Sequence, residues 1–273
     1  MEFHITALRH LAALFTFLAM LPAQAGPPDV IEARVVPGWI MADGVRHAAI
    51  DIRLAPGWKT YWRHPGAGGI APAFDWSGSD NLAGIEIRWP HPDVFDDYGL
   101  RTVGYADRVV LPLAVTPARP GAPVRLQARA EIGVCRDVCL PVTLSIAATL
   151  PTGTEAPAAD RREVLSALRT ARSAAPGAGR ARCALSPIAD GLRLKVTFRK
   201  LPDVGPVRMA FIATDRADVW VSEPEMTTRA GGLVATADLV PPEAQPFALD
   251  RSAMRFTLLG ETGTTDILGC DAG

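Results

Sequence analysis

The stretch VRLQARAEIGVCRDVCLPVTLSIAATL, residues 124–150, sets two β-prone runs, Val124 to Ala130 and Leu144 to Leu150, on either side of a segment that carries Cys135 and Cys139. In a straight strand the four steps between these cysteines, at about 3.3 Å each, would hold their Cα atoms roughly 13 Å apart. A disulfide needs roughly 4.4 to 6.8 Å. Either the chain turns at Arg136-Asp137 and joins the thiols at the tips of two strands, or the pair never closes. A bond enclosing so little chain constrains the unfolded state less than a long-range staple, so it suits opening better than holding. Arg136 favours a thiolate at Cys135 and Asp137 opposes it, so neighbouring charge alone does not set reactivity. Spacing leaves two other readings open. One is a small structural hairpin disulfide, and the other is Cu(I) or Zn ligation by two soft thiolates.

Upstream the same β character recurs in Ile31 to Val36, Ala48 to Leu54, Thr60 to Arg63, Ile85 to Trp89 and Val109 to Val115, separated by Gly, Pro, Asn and Asp. With the two runs above, this pattern reads as a β-sandwich. Strict alternation in Trp58-Lys59-Thr60-Tyr61-Trp62-Arg63 puts Trp58, Thr60 and Trp62 toward the core. Lys59, Tyr61 and Arg63 then face away, with Tyr61 and Arg63 open to a partner. His64 and His91 read as loop histidines, and Asp75-Trp76-Ser77-Gly78 as a turn.

Residues 151–159 have a linker composition. A helix follows to about Arg172, with Asp160 as N-cap, Glu163 closing a capping box, and Val164, Leu165 and Leu168 as its apolar stripe. Beyond a small, Gly-rich stretch at 173–179, a second β pattern runs through Leu192 to Phe198, Val207 to Ala213, Val219 to Ser222, Leu233 to Leu239 and Met254 to Leu259. The expected architecture is all-β, two sandwiches in tandem with a short linking helix, divided at residues 26–150, 151–179 and 180–273. Cys183 and Cys270 bracket the second unit, where a bond between them would act as a structural staple contributing about 4 kcal/mol through chain entropy. Free thiols or pairing with the other cysteines stay open on sequence alone.

The 28 Lys+Arg and 29 Asp+Glu balance to a net charge of −1, which leaves no electrostatic footprint for nucleic acid or an anionic membrane. Residues 1–25 carry Arg9 and His10, an apolar run from Leu11 to Leu21, and Ala23-Gln24-Ala25 before Gly26, the pattern of a secretory signal peptide. The run is too short to span a bilayer and Pro22 closes it, so an uncleaved anchor is the lesser alternative. No membrane span is expected after cleavage. The expected compartment is an oxidising one, where disulfide chemistry is admissible. His47, His64, His91 and the methionines beyond residue 25 suggest no dedicated metal cage.

The run Tyr98 to Leu113, with Tyr98-Gly99, Gly104-Tyr105-Ala106-Asp107 and Leu111-Pro112-Leu113, followed by Gly133-Val134-Cys135 and Cys139-Leu140-Pro141, resembles the N-terminal periplasmic domain of the thiol:disulfide interchange protein DsbD. Gly57-Trp58-Lys59-Thr60-Tyr61-Trp62-Arg63-His64-Pro65-Gly66 and Phe74-Asp75-Trp76-Ser77 are closer to its ScsB relatives, associated with suppression of copper sensitivity. The resemblance covers about residues 30–150. It implies an immunoglobulin-like sandwich in the periplasm whose cysteine pair takes electrons from a thioredoxin-like domain of a membrane transporter and passes them to oxidised periplasmic proteins, with no cofactor.

By position, Cys139 matches the cysteine that forms mixed disulfides and Cys135 its resolving mate. The family's cap over the pair maps onto Phe95, Asp96, Asp97 and Tyr98. Asp97 stands where the family has an aromatic, so Tyr98 or Phe95 takes that part. The acidic pair Asp96-Asp97 would disfavour thiolate if it lay near the sulfurs. DsbD itself has a longer spacer between its cysteines, so the ScsB branch is the nearer guide. The full-length family continues into membrane helices and a thioredoxin domain, so reduction by another protein is expected. A copper-handling module using the same thiolates is the alternative function.

Overall fold

The computed structural model describes residues 29–97, 99–153, 155–171, 180–229 and 232–273. The expected signal peptide and Tyr98 lie outside them. Before the helix the chain forms β1 (Ile31–Val36), β2 (Arg46–Leu54), β3 (Lys59–Gly66), β4 (Ala73–Asp75), β5 (Leu82–Ile87), β6 (Asp93–Asp97), β7 (Leu100–Ala106), β8 (Arg108–Pro117), β9 (Val124–Cys135) and β10 (Cys139–Leu150). One sheet has the order β1-β2-β8-β5, the other β10-β9-β3-β7-β6 with β4 also on β9. Between them lie Ile50, Leu111, Leu113, Trp62, Leu126, Ile132 and Ile146. Strand β9 shows why these residues make a sandwich. From Val124 to Glu131 buried and exposed residues alternate strictly, the signature of a sheet with one wet face. From Ile132 to Cys135 every residue is buried, so the outer face is covered there.

The helix α1 (Ala158–Thr170) departs from the expected one. Pro157 is its N-cap and no side chain caps it, because Ala158 and Ala159 continue the helix back to the proline. Asp160 sits in the first turn, and Glu163 forms ion pairs with Arg34 and Arg108 instead of a capping box. Val164 and Ala167 are buried and Leu168 packs beside them, while Leu165 is left exposed because it falls off that face. Val164 meets Val36, Trp39 and Ala49, so the helix lies on the N-terminal sandwich.

After it come β11 (Arg180–Ile188), β12 (Gly191–Arg199), β13 (Val207–Ala213), β14 (Trp220–Val221), β15 (Glu225–Arg229), β16 (Gly232–Val240), β17 (Arg255–Gly260), β18 (Thr264–Leu268) and β19 (Asp271–Ala272). One sheet runs β14-β16-β12-β11-β19 with β15 on β16, and the other β13-β17-β18. The fold is all-β and immunoglobulin-like with one short helix among the described residues. Cys183 is bonded to Cys270 across 87 positions, with Cα atoms 5.7 Å apart, where β19 lies parallel to β11.

The three-stranded sheet is buried on both faces. Ala210, Phe256 and Leu258 enter the second core, while Met209, Phe211 and Leu259 join the core of the N-terminal sandwich. The second unit is therefore docked on the first through apolar surface.

Candidate functional site

Strands β9 and β10 pair without a break from Val124↔Leu150 to Cys135↔Cys139, so the two cysteines face each other at the hairpin end. The turn Arg136-Asp137-Val138 closes with the Arg136 N–H donating to the Val138 carbonyl at 3.3 Å. Cα atoms 4.1 Å apart are bridged by the disulfide. Arg136 spends its charge locally: its Nε is 2.9 Å from Asp137, and its guanidinium lies 5.3 Å from the Trp58 ring centroid.

The two sulfurs are not equivalent. Cys135 is 2% exposed, whereas Cys139 is exposed and follows Val138, which is 65% exposed. Cys139 is thus the residue of the pair open to solvent, and Cys135 the one sheltered by the protein.

What covers Cys135 is Tyr61. Strand β3 pairs with β9 at Lys59↔Cys135 and Thr60↔Val134, and Thr60 Oγ1 donates to the Gly133 carbonyl at 2.9 Å. The next residue, Tyr61, brings its hydroxyl to 2.6 Å from Cys135 Sγ and 3.4 Å from Cys139 Sγ. Alternation placed Tyr61 on the outer face, free for a partner. That expectation is corrected, because the residue is 2% exposed. The segment 66–72 folds back over the sheet and roofs the ring. A Cβ on Gly69 would come within 2.8 Å of the Tyr61 ring, and one on Gly133 within 3.1 Å of the ring and 2.6 Å of Ile70. Glycine at both positions makes the slot. The signals in the chain were Gly66-Ala67-Gly68-Gly69 and Gly133, which mark close backbone approach.

Arg63 is likewise no open surface residue, since its Nη2 donates to both Asp266 oxygens at 2.8 and 2.9 Å. Nor is His64 a loop histidine. It lies in β3 with its ring stacked on Phe211 at 5.0 Å and its Nε2 3.2 Å from Thr257 Oγ1. Burial, with Arg63 adding to it and Asp266 partly offsetting it, pushes its pKa down to about 4. His91 stays outside the strands, its N–H donating to the Thr170 carbonyl at 2.8 Å.

Phe95, Asp96 and Asp97 of the expected cap lie on β6, at the opposite edge of the sheet from β10. Phe95 is half-buried with Lys59 Nζ 5.0 Å from its ring centroid, Asp96 is exposed opposite Arg101, and Asp97 pairs in register with Leu100. Among the described residues the side chain hydrogen-bonded to the sulfurs is Tyr61. No group of three or more His, Cys, Asp or Glu among the described residues could hold a metal ion.

An immunoglobulin-like sandwich ending in a hairpin disulfide, one sulfur sheltered and the other open, is the class that fold and site define. Residues 30–151 match the family described as thiol:disulfide interchange protein DsbD, N-terminal. The whole fold is similar to the crystal structure of the N-terminal periplasmic domain of ScsB from Proteus mirabilis. The TM-score is 0.62 at 23% identity, over 90% of this chain and 95% of that one. No curated protein matches the chain.

Proposed function

We propose that this is a periplasmic thiol-disulfide exchange protein that relays electrons through Cys135 and Cys139, from a thioredoxin-like domain of a membrane transporter to oxidised periplasmic proteins. The observation that carries the reading is the asymmetry of the bond, open at Cys139 and sheltered under a hydroxyl at Cys135. The match of residues 30–151 to the DsbD N-terminal family supports it, as does the periplasmic origin of the ScsB domain that shares the fold. Among the described residues no helix is long and apolar enough to cross a membrane.

In the first half-cycle a donor thiolate attacks Cys139 Sγ, a mixed disulfide forms, and Cys135 leaves as thiolate with the Tyr61 hydroxyl donating to it. The donor's second thiol then attacks the donor sulfur of the mixed disulfide. Cys139 is released, and two electrons and two protons have moved to the pair. In the second half-cycle Cys139 attacks a client disulfide and Cys135 resolves the mixed species. Tyr61 stabilises the departing charge in the first step and holds the resolving thiolate ready in the last.

Trapping tests the reading. Cys135→Ala leaves the exposed thiol without its resolving mate, so reductant-sensitive adducts through Cys139 accumulate in periplasm, and Cys139→Ala gives none. Equal trapping by both variants, or by neither, contradicts the relay. Cu(I) uptake by reduced protein that disappears in Cys135→Ser, without adducts, would instead favour copper handling.

A further inference from the structure

We infer that the C-terminal sandwich is a positioning element for the redox pair, and that Asp266 is the residue through which it holds Tyr61 against the sulfurs. The inference rests on the exchange reading above and assigns the second unit a role in it.

Strand β3 loses its backbone support just past the site. Its register with β7 runs Lys59↔Ala106, Thr60↔Tyr105 and Tyr61↔Gly104, then resumes only at Gly66↔Thr102. Trp62, Arg63, His64 and Pro65 thus stand opposite Val103 alone. On the other side, β9 pairs with β3 at Cys135 and Val134 and then turns to β4, through Ala73↔Glu131 and Phe74↔Ala130. A strand with extra residues on one side of a ladder bends, and its side chains are re-aimed. Tyr61 is the last residue before that irregularity.

Side chains of the C-terminal sandwich hold the unladdered segment. Asp266 on β18 accepts from Arg63 and, at 2.6 Å, from the Thr257 hydroxyl. With the Thr257 proton committed to Asp266, His64 Nε2 is the donor in the 3.2 Å contact, so a directed chain runs His64 to Thr257 to Asp266. Phe211 closes the apolar side, stacked on His64 and edge-on to Trp62 at 5.7 Å. The contacts flank Tyr61 in sequence and touch neither sulfur. As a stability device the Arg63–Asp266 pair would count for little, because both partners are partly exposed, with side-chain exposures of 31% and 42%. Its consequence lies in where it sits. It anchors the segment that follows the residue bearing the sulfur-facing hydroxyl, and a hydrogen bond to sulfur depends on placement to within tenths of an ångström.

The test compares wild type, Tyr61→Phe, Asp266→Asn and Asp266→Glu in the full chain, with near-UV circular dichroism to confirm folding. Two readouts serve: the equilibrium of the Cys135–Cys139 pair with glutathione, and the pH profile of alkylation of the reduced pair. Asp266→Asn is expected to move the equilibrium toward the disulfide by threefold or more and to shift the alkylation profile to higher pH, the same directions as Tyr61→Phe. Asp266→Glu is expected to restore wild-type behaviour. A folded Asp266→Asn with wild-type equilibrium and profile overturns the inference, as does a silent Tyr61→Phe, and both leave the exchange reading standing if wild type equilibrates. If Asp266→Asn does not fold, Arg63→Gln breaks the same link from β3 and is read by the same criteria. A wild-type pair that does not equilibrate with glutathione at all removes the exchange reading, and this inference with it.

Discussion

The Tyr61 hydroxyl stands 2.6 Å from Cys135 Sγ, on a ring that is itself sealed between Gly133, Gly69 and Ile70. A buried hydroxyl fixed in this way donates to a thiolate without first having to be ordered. Hydrogen bonds to charged groups contribute about 1.5–3 kcal/mol, so Tyr61→Phe should slow reduction of the pair by roughly tenfold or more. Stopped-flow reduction with a small dithiol measures this directly. A Phe variant that is reduced at the wild-type rate would remove Tyr61 from the chemistry.

Cys183–Cys270 closes a long loop and Cys135–Cys139 a short one, with sequence separations of 87 and 4. Chain entropy then gives about 4 kcal/mol for the first and about 2 kcal/mol for the second. Replacing Cys183 and Cys270 together by Ser should lower the urea midpoint clearly more than replacing Cys135 and Cys139. Equal losses would mean that the short bond also serves as a staple.

His64 makes stability depend on pH. Its pKa falls from 6.5 to about 4 on folding, chiefly through burial and then through Arg63, so the unfolded chain binds more protons between those values. Stability is full above pH 6.5 and drains as the pH falls toward 4, by up to about 3 kcal/mol from this residue. In urea titrations from pH 7 to pH 4, His64→Gln should flatten that slope. An unchanged slope would place the titrating group elsewhere.

Much of this architecture was legible in the chain. The β-prone runs of the N-terminal half became strands, and the bend at Arg136-Asp137 is the arrangement that forms. Hairpin β6–β7 was not legible, because Asp93, Asp96, Asp97 and Gly99 mask an edge pair whose outer positions need no apolar residue. Alternation named the face of Tyr61 correctly but could not say that a glycine-rich segment would roof that face. Arg63 and His64 were misplaced for a similar reason. Their partners Asp266, Thr257 and Phe211 lie far along the chain, and periodicity carries no information about which distant surface docks on a strand.

The most direct test of the central claim is the reduction potential of Cys135–Cys139 in the folded protein, titrated against dithiol buffers and read by alkylation and mass. A bond that opens for passing thiols should lie above about −300 mV and be reduced by thioredoxin-like proteins. A potential below that value, with resistance to those reductants, would make the pair a structural clasp and contradict the account.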